Sequence, residues 1–286
     1  MIPVLRDVLP SPIMRSATVV VFAAAVAVAG CGEDDQRGST TVVAAFYPLA
    51  WAAERIAGDR ATVVNLTPPG AEPHDAELSP RDVEAVLDAD LVLYVGGGFQ
   101  PALEDAVRDR DGPSLDVLGG SEDPHVWLDP VRFASIVVDV GRRLGLPRPA
   151  RSLAADLRRL GAAFRQGLER CARRTLVTAH ASFGHLAARY GLMQVSLSGR
   201  SPEVEPGPRE LNRLVDEVRD SGATTLFAEP LVADRLAKTV AREAGARVAI
   251  LDPIEGMSEE RLDAGDDYLS VMHENLSALR NALACR

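Results

Sequence analysis

Ala150–Arg173 reads ARSLAADLRRLGAAFRQGLERCAR, with apolar side chains at Leu153, Leu157, Leu160, Phe164, Leu168 and Cys171. Steps of four, three, four, four and three residues draw one apolar stripe down a helix. Unbroken, such a helix is about 36 Å long, enough to run along two lobes as a stiff connector. It holds no glycine-rich hinge, which argues against a wide hinge-closing motion.

On either side of this helix the chain repeats itself. Before it come the strand-like run Thr41–Phe46 (TVVAAF), a helical pattern through Trp51 and Ile56 ending at Gly58, a helix opened by Ser79-Pro80-Arg81, the run Asp90–Val95 (DLVLYV) and the run Leu115–Leu118. After it come Thr175–Ala179 (TLVTA), a helical pattern through Phe183 and Leu186 ending at Gly191, a helix opened by Pro208-Arg209, the run Thr224–Ala228 (TTLFA) and the run Arg247–Leu251. Strands alternating with helices predict parallel βα units. The expected fold is therefore α/β, two βα lobes with parallel sheets joined by one long rigid helix. The expected boundaries are 41–147 for the first lobe, 148–174 for the connector and 175–286 for the second lobe.

The 286 residues carry 47% hydrophobic and 25% charged side chains, an ordinary globular balance that excludes a disordered or fibrous chain. A net charge of −10 speaks against a nucleic-acid partner. Ala17–Ala29 (ATVVVFAAAVAVA) is an uncharged apolar run of about 20 Å as a helix, too short to span the ~30 Å hydrocarbon core. It reads as a signal-peptide core, with residues 1–30 as the signal and Met14 as a candidate start. Val28-Ala29-Gly30-Cys31 has the small-residue pattern of a bacterial lipoprotein signal, which would place a lipid anchor on Cys31; an ordinary secretory signal is the alternative. Residues 31–40 then form a polar tether, and the mature chain lies outside the cytoplasmic membrane. In that oxidising compartment Cys171 and Cys285 are either a disulfide or two buried thiols.

Ligands of open α/β sheets bind beyond the carboxyl ends of the strands, and four metal-ligating side chains fall there. His74 lies in Pro68–Pro80 (PPGAEPHDAELSP), His125 in Asp123–Pro130 (DPHVWLDP), His180 directly after the run ending at Ala179, and Asp252 directly after Leu251. Two belong to each lobe, so they are expected to converge in the cleft between the lobes. Three imidazoles and one carboxylate suit a Zn²⁺ tetrahedron better than Mn²⁺, which takes more oxygen ligands. Asp129 reads as a helix cap or as a partner of a ligand imidazole. Glu229 reads as a cleft residue or a loop carboxylate. His185, about 140° around a helix from His180, reads as a packed neighbour of the site rather than a ligand, and His273 as solvated.

Taken together, Pro68–Asp82, Asp123–Pro130, Thr178–Leu192 (TAHASFGHLAARYGL) and Leu251–Gly256 (LDPIEG) resemble the zinc and manganese solute-binding lipoproteins of ABC importers, the ZnuA/TroA-like (cluster A-I) family. The resemblance implies a rigid two-lobed protein with one metal in the cleft, held by His74, His125, His180 and a fourth ligand that is Asp252, another carboxylate or water. It also implies a monomer that hands zinc to an ABC permease, with manganese as the alternative cargo. Two departures stand out. Arg108–Glu122 lacks the His-rich loop many zinc-type members carry, and His185 stands where relatives often have tyrosine. A zinc hydrolase, with a metal-bound water and Glu229 as base, and a surface adhesin are the competing functions.

Overall fold

The computed structural model describes residues 40–200 and 207–286; the signal, the Met14 start and Cys31 lie outside the described residues, as does the tether up to its last residue. The first lobe contains β1 (Thr40–Ala44), α1 (Tyr47–Ala57), β2 (Ala61–Asn65), α2 (Pro80–Asp88), β3 (Leu91–Tyr94), α3 (Pro101–Arg108), β4 (Ser114–Asp116) and α4 (Pro130–Arg143). The connector is α5 (Pro147–Leu168), and the second lobe contains β5 (Thr175–Thr178), α6 (Gly184–Tyr190), β6 (Met193–Ser196), α7 (Pro208–Asp220), β7 (Thr225–Ala228), α8 (Arg235–Ala244), β8 (Arg247–Ile250), α9 (Glu259–Asp263) and α10 (Tyr268–Ala282).

Each lobe has one parallel four-stranded sheet. The orders, β2-β1-β3-β4 and β6-β5-β7-β8, are the same, so the repeat legible in the sequence is a repeat of topology. The central strands are buried along most of their length, because helices cover both faces. The edge strands are half-exposed, and one of them, β6 with the sequence MQVS, carries too few apolar residues to stand out by pattern. Among the described residues no helix is long and apolar enough to cross a membrane.

The connector differs from expectation at both ends. It starts earlier, at Pro147, where proline suits the first helical turn, and it stops at Leu168. The Arg174 guanidinium donates to the carbonyls of Leu168 and Glu169, occupying acceptors that a longer helix would use internally. At 22 residues it is about 33 Å long. Cys171 therefore sits beyond the helix, where it is disulfide-bonded to Cys285 and bridges to it along the backbone.

The last helix returns to the first lobe, which the expected boundary at residue 175 does not capture. Tyr268 is fully buried, stacked on Trp51 with ring centroids 4.9 Å apart, and donates its hydroxyl proton to the Trp127 carbonyl at 2.5 Å. The larger apolar core accordingly contains α1, α4, α5 and α10 together, while Val177, Leu214, Val218, Leu226 and Val240 form a smaller core inside the second lobe. The disulfide closes a loop of 114 residues that includes that lobe. We expect Cys285→Ser to lower unfolding stability by about 3–5 kcal/mol, checked by denaturant titration of oxidised protein. An unchanged midpoint would mean that the pair carries no stabilising constraint.

Candidate metal centre

Each ligand-bearing loop follows a strand at its carboxyl end. His74 sits in a single 3₁₀ turn (Pro73–Asp75) after β2; the Glu72 side chain accepts from its backbone N–H at 3.2 Å. His125 heads the buried turn Val126–Leu128 after β4. His180 follows β5, its loop held by the Thr178 hydroxyl donating to the His180 carbonyl at 2.6 Å. Glu255 lies five residues beyond β8.

Four donor atoms, one each from His74, His125, His180 and Glu255, lie within 4.8 Å of one another. Glu255 Oε1 is 3.1 Å from His125 Nε2, 3.2 Å from His180 Nε2 and 3.4 Å from His74 Nε2, and the His125 and His180 Nε2 atoms are 3.3 Å apart. A tetrahedron with metal–ligand bonds of about 2.0–2.1 Å has edges of about 3.3–3.4 Å. These four edges thus have the lengths of a zinc shell, and one carboxylate among three imidazoles suits Zn²⁺ better than Mn²⁺ or Mg²⁺, which favour oxygen donors. Side chains of His125 and His180 are fully buried and that of Glu255 nearly so; His74, 8% exposed, is the most exposed of the four.

Outer partners aim the imidazoles. Asp123 Oδ1 lies 2.7 Å from His125 Nδ1 and Glu229 Oε2 lies 2.6 Å from His180 Nδ1. In each pair the Nδ1–H donates to the carboxylate, which turns the Nε2 lone pair toward the centre and raises its basicity. Phe99 packs edge-on against His74 at 4.5 Å.

The charges are interlocked. Burial works against the protonated form of His180, but hydrogen bonds with Glu229 and Glu255 outweigh it and raise its pKa to about 10. His125 is raised in the same way: burial opposes it, and Asp123 and Glu255 prevail. Burial also opposes charge on Glu255, yet hydrogen bonds with the three imidazoles hold its carboxyl well below the usual range. Glu72, desolvated and facing Glu255, is pushed up to about 8. The metal-free site therefore holds its positive charge as protons on imidazole, and a dication would take their place.

Asp252, the fourth ligand expected from sequence, is not in the cluster. Its Oδ1 accepts from Ile254 N–H at 2.8 Å, and Asn275 holds its backbone on both sides, donating to the carbonyl at 2.7 Å and accepting from the N–H at 2.9 Å. That side-chain turn reverses the chain so that Glu255, three residues on, points into the cleft. Ile254 has φ 54°, a left-handed backbone that a β-branched residue rarely adopts, directly before the ligand. Both carboxylates of LDPIEG were available to sequence reading; only the turn says which one faces inward.

The remaining candidates separate cleanly. Asp129 caps α4 by accepting from Val131 and Arg132 N–H and pairs with Arg189, so it touches no ligand imidazole. Glu229 orients His180. His185 lies outside the cluster, with its Nε2 3.0 Å from the Asp123 carbonyl and 3.1 Å from Ser121 Oγ, and so joins α6 to the His125 loop. His273 is exposed on α10.

Residues 42–282 match the family model described as zinc-uptake complex component A, periplasmic. The zinc-binding lipoprotein AdcA of Streptococcus pneumoniae is 33% identical over 278 residues; the match covers 85% of this chain and 56% of that protein, so the chain spans about half the length of that relative. The high-affinity zinc uptake system protein ZnuA of Bacillus subtilis is 30% identical over 310 residues, covering 94% of this chain and 97% of that one. Among solved structures, the Zn(II)-bound ZnuA-like domain of S. pneumoniae AdcA is similar with a TM-score of 0.72 and 33% identity, covering 86% of this chain and 99% of that one. The laminin binding protein Lmb of Streptococcus agalactiae, described as a bifunctional protein with adhesin and metal transporting activity, is similar with a TM-score of 0.78 and 30% identity, covering 85% and 99%.

Proposed function

This chain belongs to the zinc-uptake complex component A family, and from that premise we propose that it captures Zn²⁺ outside the cytoplasmic membrane and delivers it to an ABC permease. The observation that carries the reading is the convergence of three imidazoles on one Glu255 oxygen, with the Glu255–imidazole and His125–His180 distances near the edge lengths of a zinc tetrahedron. His74, His125, His180 and Glu255 are the ligands in this reading. Zn²⁺ enters as cargo past His74, displaces the imidazole protons, and is held until the permease opens the shell. Catalysis is disfavoured by the same shell, since four protein donors fill it and leave no position for a reactive water.

The chain is further proposed to act as a monomer, tethered to the membrane by a lipid on Cys31, which follows the small-residue run Val28-Ala29-Gly30. Likeness to the laminin-binding protein supports a second reading, attachment to a host matrix protein. Laminin binding that persists after the metal is stripped would favour it over transport.

The test is metal content and competitive chelator titration of the full chain with Zn²⁺ and Mn²⁺. One zinc per chain is expected, bound more tightly than manganese. Glu255→Ala should weaken it by about 100-fold or more, while Asp252→Ala keeps it within about 10-fold, since Asp252 acts only through the turn. Tighter manganese binding would overturn the cargo, and equal losses in the two variants would overturn the ligand set.

A further inference from the structure

The position of Glu255 is decided from the opposite lobe. Within its own lobe the backbone of the loop is hydrogen-bonded at its start, by Asn275 on both sides of Asp252 and by the Asp252 turn. From Pro253 onward two backbone anchors come from the first lobe, while the Glu255 carboxylate also meets His180 of its own lobe. The Trp127 indole N–H donates to the Pro253 carbonyl at 2.7 Å, and Gly70 N–H donates to the Met257 carbonyl at 2.9 Å. These two bonds stand on either side of Ile254, with its φ of 54°, and of Glu255. A conformation of that kind costs about 1–3 kcal/mol and persists only where the surroundings hold it.

Trp127 is built to hold it. The side chain is fully buried, edge-on to Phe46 at 4.7 Å and to Phe99 at 5.7 Å, and its backbone carbonyl accepts the Tyr268 hydroxyl. It lies two residues after His125 in one short turn, with its ring 5.2 Å from that imidazole. One rigid element therefore carries a ligand and the strut that holds the loop of another.

We propose that Trp127 is a positioning residue: through the Pro253 carbonyl, its indole N–H sets the distance between Glu255 and His125 and so keeps the site at the size of a zinc tetrahedron. The inference rests on the zinc reading of the site given above. Without the strut, the buried Pro253 carbonyl loses its partner and Ile254 relaxes toward negative φ. Glu255 then draws back from the imidazoles. Zinc loses its fourth protein ligand, and manganese, which favours oxygen donors, loses the one carboxylate of the cluster. The strut thus contributes to affinity and to the tetrahedral geometry of the shell.

The experiment compares the full chain with Trp127→Phe, which keeps the aromatic packing and removes the N–H. Zinc affinity is expected to fall about 10- to 100-fold, the loss of one buried hydrogen bond acting on a single ligand. The visible spectrum of the Co²⁺-loaded protein should lose tetrahedral intensity. In a Glu255→Ala background, Trp127→Phe should have no further effect on zinc, because the strut acts through that ligand. A lower melting temperature with an unchanged zinc affinity and an unchanged Co²⁺ spectrum would overturn the proposal, as would additive losses in the double variant. If Trp127→Phe does not fold, Trp127→benzothienylalanine, which replaces the N–H by sulfur at nearly the same shape, yields the same readouts. An unmodified chain that binds no zinc would instead overturn the parent reading.

Discussion

His180→Ala weakens zinc binding by about two to three orders of magnitude, while His273→Ala leaves it unchanged. Structural zinc sites bind with about 10–16 kcal/mol in total, so one ligand in four accounts for roughly 3–4 kcal/mol, which is the predicted loss. His180 is the ligand with the most at stake. Its Nε2 stands 3.2 Å from Glu255 and 3.3 Å from His125, and its Nδ1 is held by Glu229. Its removal also leaves the buried Glu229 and Glu255 carboxylates without the imidazole that separates them. His273, exposed on α10, touches none of this. Competitive chelator titration measures both variants, and similar losses in the two would remove the site from the cleft.

Zinc affinity falls as pH is lowered, by about tenfold per pH unit for each proton displaced. With the His180 pKa up to about 10 in the metal-free chain, its imidazole is protonated throughout the neutral range. His125 is likewise held above its ordinary value. Every binding event must therefore expel at least one proton, and between pH 8 and pH 6 the affinity should drop at least about 100-fold. Calorimetry in two buffers of different ionisation enthalpy counts the protons; affinity flat with pH would contradict the charge assignment. The same shift acts on folding with a definite sign. Because the folded pKa of His180 lies above its unfolded value, near 6.5, protonation stabilises the metal-free chain fully below about pH 6.5. That contribution fades as pH rises through about 10. Zinc replaces the proton, so the thermal stabilisation produced by zinc should grow with pH.

Much of this molecule is visible along the chain because its signals are local. The apolar stripe from Leu153 to Leu168 is buried along its length in α5. The βα repeat on either side becomes two sheets of identical order. Three histidines in loops that follow strand ends converge because parallel strands place their carboxyl ends on one side. Elements with weak local signals were missed or misplaced. β6, a four-residue edge strand, is stabilised by its pairing with β5 more than by apolar pattern. Cys171 continues the apolar periodicity past the end of α5, while Arg174 closes the helix at Leu168. Asp129 offered two roles, and the cap of α4 takes it because its backbone donors are adjacent in sequence.

The sequence by itself determined the class of fold, the two-lobe repeat and the three imidazoles that come together in the cluster. These follow from periodicity, strand-end position and donor type. The tertiary structure alone decided that Glu255, not Asp252, completes the cluster, that Glu229 and Asp123 aim the rings, and that the last helix crosses back to the first lobe. The physical reason is the same in each case. A carboxylate three residues from another differs from it in sequence by nothing that periodicity can register. Which one faces the metal is set by a side-chain turn, a left-handed backbone at Ile254 and a hydrogen bond from Trp127, 126 residues away.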